Sequence, residues 1–224
     1  MLLPFIWRSE ALIIMHKNRF KISFFIIALL CASCVQVGKE MVSWVDAEET
    51  EQVFGTYHFL DANGTEIYLP EDFEKYSIAS YQKVINKLTA EDQVNNEFNR
   101  LNNLNKMKGD FYIFFDEKTN ATCTVNTMPY TPLSKREAQQ FLGIMRLNAE
   151  KSVRNKNISF KKITARYSGT PENCIFKSIY KAEEEKLETF TSSYFITSNN
   201  KTIFLQLSTP FEAYFDPFIK KFRM

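Results

Sequence analysis

Very few residues in this chain have side chains that do covalent or acid–base chemistry. Beyond residue 34 there is one histidine, His58, and there are two cysteines, Cys123 and Cys174. Alone in the first hairpin strand, His58 reads as a surface or rim residue and not a ligand, and a Ser-His-Asp triad, which would have to use it, lacks a Gly-x-Ser-x-Gly elbow. A cysteine nucleophile paired with His58 could draw on Cys123 or Cys174. Both thiols fall in strand-like runs, where an inert buried or bridged thiol is the better reading. One histidine gives no zinc site of the usual kind, which needs several His or Cys ligands at fixed spacing. The 6 glycines stand apart from one another, so no loop cradles a phosphate. Carboxylates cluster at Glu71, Asp72 and Glu74 and again at Glu183–Glu185, but nothing in "LPEDFEKY" sets a coordination geometry, and it reads as a charged loop or helix start. No catalytic residue, metal ligand or cofactor is expected, and the chain is read as a non-enzyme.

The elements that would position these residues follow from hydropathy spacing. "FGTYHFLDANGTEIYLPEDF" holds two short β-rich runs around Asp61-Ala62-Asn63-Gly64, a turn whose Asn and Gly tolerate positive φ. Residues 77–106 form one or two helices: Val84, Ile85 and Leu88 share a face, as do Val94, Phe98, Leu101 and Leu104, and Thr89-Ala-Glu-Asp reads as a start. "FYIFFD" (111–116) suits a buried strand and "ATCTVNTM" its partner. Ser134 and Glu137 have capping-box spacing, ahead of a helix whose stripe is Ala138, Phe141, Leu142, Met145, Ala149 and Val153. Four strands are expected at 157–168, 173–182, 188–198 and 201–209, with turns at "EEEK" and Asn199-Asn200. A closing helix is expected from Phe211, Tyr214, Phe215, Phe218, Ile219 and Phe222, with Asp216-Pro217 beginning its last turns. Hairpin-linked strands with helices grouped between them predict an α+β fold: an antiparallel sheet with helices packed on it.

At the N-terminus, Lys17, Arg19 and Lys21 precede the apolar run from Ile22 to Ser33, which is too short to span a bilayer and the right length for a secretory signal. Residues 1–33 are read as that signal. Met15 is the suspected start, which makes residues 1–14 an annotation error. "LLCASC" resembles a bacterial lipobox, with Ala32 and Ser33 as the small pair and Cys34 as the lipid acceptor; Cys31 stands where that motif prefers Leu. The resemblance implies attachment to the membrane through acyl chains on Cys34, since one chain alone holds weakly. A plain cleaved signal and an uncleaved anchor are the alternatives. Residues 34–53 then form the lipidated cysteine and tether, and 54–224 a single α+β domain.

Taking Arg8, Lys17, Arg19, Lys21 and Glu10 away from the 28 basic and 26 acidic residues moves the formal balance from +2 to −1. Without a basic stripe, nucleic acid is not an expected partner. The 21 Phe and 10 Tyr against 6 Gly and 7 Pro fit a packed globule. An oxidising envelope would allow Cys123 and Cys174 to pair; the alternative is two buried apolar thiols. Asn63, Asn120, Asn157 and Asn200 begin Asn-x-Ser/Thr sequons, read as turn residues rather than glycan acceptors.

The opening hairpin with "IYLPEDFEKY", the long capped helix, "YFITSNNKTIFLQLST" and the terminal "FDPFIKKF" resemble the PsbP-like α/β/α sandwiches, small bacterial lipoproteins among them, over roughly 54–222. The resemblance implies a fold and no active-site residue. The expectation is a lipid-anchored cell-envelope accessory protein facing the periplasm, the outer membrane ranked before the inner, with an envelope protein as partner. The alternative is an envelope enzyme with a carboxylate- or cysteine-based site.

Overall fold

The computed structural model describes residues 53–88, 91–153, 158–184 and 187–224. The expected signal sequence, Cys34, the sequon at Asn157 and all but the last residue of the tether lie outside the described residues.

The opening hairpin joins β1 (Thr56–Leu60) to β2 (Thr65–Leu69) in a two-stranded sheet of its own. Its turn closes where Gly64 takes φ 66° and donates to the Leu60 carbonyl at 2.9 Å, while Asn63 Oδ1 accepts from the Thr65 amide at 3.2 Å. A short strand, β3 (Glu74–Tyr76), follows within the segment read as a charged loop or helix start. Three residues are too few to show a period of two, and the pairing partner lies far along the chain.

Two helices, α1 (Ile78–Leu88) and α2 (Glu91–Asn105), lead to β4 (Asp110–Asp116) and β5 (Ala121–Met128). The long helix α3 (Lys135–Val153) begins at the expected capping box: Glu137 Oε2 accepts from the Ser134 amide at 2.8 Å, and the Glu137 amide donates to Ser134 Oγ at 3.3 Å. β6 (Ile158–Thr170), β7 (Asn173–Glu184), β8 (Leu187–Ser198) and β9 (Lys201–Thr209) form a meander. The β8–β9 turn uses Asn199 and Asn200 at φ 49° and 57°, a conformation asparagine adopts more readily than most residues. Asn63, Asn120 and Asn200 all sit in turns.

The main sheet is antiparallel throughout, in the order β3-β4-β5-β9-β8-β7-β6. Side chains alternate between its faces. One face carries Phe114, Cys123, Val125, Leu205, Leu207, Tyr194 and Ile196, packed under the hairpin and the C-terminal segment. The other carries Ile113 and Phe115 beneath α1 and α2, and Phe176, Phe195 and Phe204 beneath α3. The class is α+β, with helices on one face and the hairpin with a short helix on the other.

That short helix, α4, covers only Asp216–Ile219, whereas the spacing predicts a longer one. The expected stripe is still buried at Phe215, Phe218 and Ile219. The end of the chain has a competing partner: Arg223 exchanges two 2.9 Å backbone hydrogen bonds with Glu66 of β2. An extended strap satisfies these groups, and a helix continued through 223 would not.

Candidate functional site

The chemically capable residues do not converge. Cys123 and Cys174 are free and buried. Cys123 lies on the hairpin face and Cys174 on the helix face, with β9 and β8 between their strands. Of the two readings left open for these thiols, the structure has the buried apolar one, since two thiols on opposite faces of one sheet do not meet at disulfide distance. Burial pushes both thiols up, so neither is a ready nucleophile.

His58 points inward rather than to the rim, with its ring 4.9 Å from Phe114. Burial first, and the Lys75 charge second, hold it below the usual histidine range. Its Nε2 is buried without a hydrogen-bond partner among the described residues. Phe114, paired across β4–β5 with Cys123, is its aromatic neighbour, and among the described residues no hydrogen bond joins Nε2 to the thiol.

The carboxylate clusters serve surface ion pairs: Asp72 takes Lys118 at 2.8 Å, and Glu183 and Glu188 take Lys181 at 3.5 and 2.6 Å. Among the described residues no three His, Cys, Asp or Glu side chains could hold a metal ion. An open groove of about 590 Å³ lies along Asp61, Ala62, Asn105 and Asp110–Tyr112, and contains no histidine or cysteine.

The most distinctive feature is polar. Registers across four strands place Thr124, Gln206, Ser193 and Ser178 in one row on the helix face, with Thr122, Ser208, Thr191 and Tyr180 in the next. A third row, Asn126, Phe204, Phe195 and Phe176, is mostly apolar. The helices account for the difference. Leu104 near the end of α2 and Phe141 near the start of α3 pack in one cluster over Phe204 and Phe195. From there α2 runs back over β4 and β5, with Arg100 reaching Gln206 of β9, while Met145 of α3 meets Ser178 of β7. The helices diverge, and the floor between them is left half-exposed at Gln206, Ser208 and Thr191.

One wall of this cleft is a continuous hydrogen-bond chain. Tyr81 Oη contacts Thr122 Oγ1 at 2.7 Å and donates to Glu97 at 2.9 Å. Glu97 takes Arg100 in a two-pronged pair, both bonds 2.6 Å. Arg100 also donates to Gln206 Oε1 at 3.1 Å, and Gln206 Nε2 donates to Ser193 Oγ at 3.3 Å. Burial raises Tyr81 well above the usual tyrosine range, so it remains a neutral donor. In the second row Tyr180 is 4% exposed and its hydroxyl has no partner among the described residues. The floor therefore offers uncharged donors and acceptors, with its one guanidinium already neutralised by Glu97. Among the described residues, Ser193 Oγ takes its hydrogen bond from the Gln206 amide and not from a base.

No family model and no curated protein matches the sequence. The chain is similar to the solution structure of cyanobacterial PsbP (CyanoP) from Synechocystis sp. PCC 6803, with a TM-score of 0.49 and 11% identity over 80% of this chain and 97% of that one. It is also similar to the crystal structure of the Saccharomyces cerevisiae Ran-binding protein Mog1p, with a TM-score of 0.45 and 8% identity over 76% of this chain and 95% of that one. Identities this low carry no ligand, partner or residue role to this chain.

Sequence reasoning passed over the hydroxyl rows. Their signal was present as Thr and Ser at alternate positions of β5, β8 and β9. That alternation reads as an ordinary solvated strand face until the register aligns it across four strands.

Proposed function

We propose that the protein is a lipid-anchored binding module of the cell envelope, attached through Cys34 and recognising its partner at the cleft between α2 and α3. The observation that carries the binding reading is the half-exposed floor of Gln206, Ser208 and Thr191, lined by uncharged hydrogen-bonding groups. The anchor rests on the short apolar run, its basic flank and Ala32-Ser33-Cys34.

Two experiments test this. Cys34→Ala should release the protein from membranes or stall its processing; unchanged partitioning and size would remove the anchor. A photoreactive residue at Ser208 should give a discrete adduct in intact envelopes that the same residue at exposed Glu172 does not. Absence of an adduct, with the purified protein turning over an envelope substrate and losing that turnover on His58→Ala, would replace binding with an enzymatic role.

A further inference from the structure

The outer face of the opening hairpin is aromatic and open. Phe59 is 56% and Tyr57 37% exposed, and Phe54, just ahead of β1, is 73% exposed, a concentration of aromatic surface of the kind that marks an interaction site. Antiparallel pairing puts Tyr57 opposite Tyr68 and Phe59 opposite Glu66, while Leu60, Ile67 and Leu69 point into the core on the other side. Cations border the rings: the Arg223 guanidinium, paired with Glu66 at 3.0 Å, lies 4.0 Å over Tyr57, and Lys221 Nζ lies 4.6 Å over Tyr68. Lys220 beside them is exposed.

The chain enters the described domain at this face. The Val53 carbonyl accepts from Lys221 Nζ at 2.9 Å and from Tyr68 Oη at 3.3 Å, so the entry point is tied to the residues that border the patch. Between Cys34 and Val53 an extended chain reaches at most about 65 Å. An anchor at Cys34 would therefore keep the point of entry, and this face beside it, within that distance of the bilayer.

We propose that Phe54, Tyr57 and Phe59, with Lys220, Lys221 and Arg223, form a membrane-docking face that seats on a lipid headgroup interface. Aromatic rings favour that layer because it accepts an apolar ring and a polar edge together, and basic side chains meet the lipid phosphates while their stems lie along the rings. Docking leaves the α2–α3 cleft, on the opposite face of the main sheet, turned away from the membrane. The inference rests on the Cys34 anchorage proposed above.

The test uses the full chain purified from envelopes and reconstituted in phosphatidylethanolamine–phosphatidylglycerol vesicles with brominated acyl chains. In a Trp7→Phe, Trp44→Phe background, Phe59→Trp reports on the hairpin face and Ile144→Trp, exposed on α3, on the helix face. Quenching at 59 is expected to exceed that at 144 at least twofold, and to fall at least twofold when Phe54→Ser and Tyr57→Ser are added. Equal quenching at the two sites overturns the docking face and leaves the anchor standing. A reporter at 59 already shielded without vesicles, and unchanged by them, overturns it in favour of cover by residues 1–52. Failure of the chain to partition into vesicles at all overturns the anchor, and the docking face with it. Preferential quenching at 59 that survives Cys34→Ala supports the docking face as a contact that holds without the anchor.

Discussion

The two faces of the seven-stranded sheet solve the packing problem differently. Toward the hairpin and C-terminal strap, Cys123, Val125, Leu205, Leu207 and Ile203 are each at most 1% exposed, and Phe215 and Phe218 fill the layer above. Toward the helices, the same strands present Thr122, Thr124, Gln206 and Ser193. The sealed face makes the domain stable through apolar burial. The other face keeps a strip of buried or half-buried polar groups that satisfy one another only while the register and both helices hold. One β-strand, alternating with a period of two, serves both.

The largest expected effect lies on the sealed face. Phe218 is fully buried and stacks 5.0 Å from Phe215. Phe218→Ala should lower stability in chemical denaturation by about 3–5 kcal/mol. A loss below about 1 kcal/mol would show that the strap is not sealing the core.

On the polar face, Glu97 and Arg100 have side chains only 19% and 23% exposed. Glu97→Gln should cost about 1–3 kcal/mol, because Arg100 keeps its burial and loses its counter-charge. A double-mutant cycle with Arg100→Met should show coupling of at least about 0.5 kcal/mol. Simple additivity would mean that the helix face is held by its apolar contacts alone.

His58 sharpens the contrast through pH. Its pKa is lower in the folded chain than the usual 6.5, by burial and by Lys75. Above that value both states are neutral and the residue is silent. As pH falls below it the unfolded chain takes up a proton first, so stability is lost progressively down to the folded pKa. His58→Phe should flatten the stability–pH curve in that interval, and an unaltered slope would show that the imidazole is solvated like a free one.

The smallest effect belongs to the outside of the hairpin. Tyr57→Ser and Phe59→Ser should each change stability by about 0.5 kcal/mol or less, in keeping with their exposure. A larger loss would place these rings in the core and disqualify them as a docking face.

Much of this was legible in the chain. The capping box at Ser134 and Glu137, the "DANG" turn, the Asn199-Asn200 turn and the meander were readable, because each depends on contacts within a few residues. β3 was not, since three residues gain strand geometry only from β4, about forty residues away. The terminal helix was overextended for a related reason: Phe211 to Phe222 has helical spacing, but Arg223 takes its backbone partners from β2. His58 looked like a rim residue because alternation says which residues share a face, not which face is covered.

The sequence by itself determined the α+β class, the aromatic core residues and the scarcity of catalytic groups, since these follow from residue type and short-range periodicity. Only the tertiary structure decided that Cys123 and Cys174 lie on opposite faces. It also aligned Thr124, Gln206, Ser193 and Ser178 under diverging helices, and brought the C-terminal cations onto the aromatic face where the chain enters. Those arrangements depend on strand order and register across residues up to about 170 positions apart, such as Val53 and Lys221. No local pattern of side chains encodes a distance of that kind; the packing of the whole domain selects it.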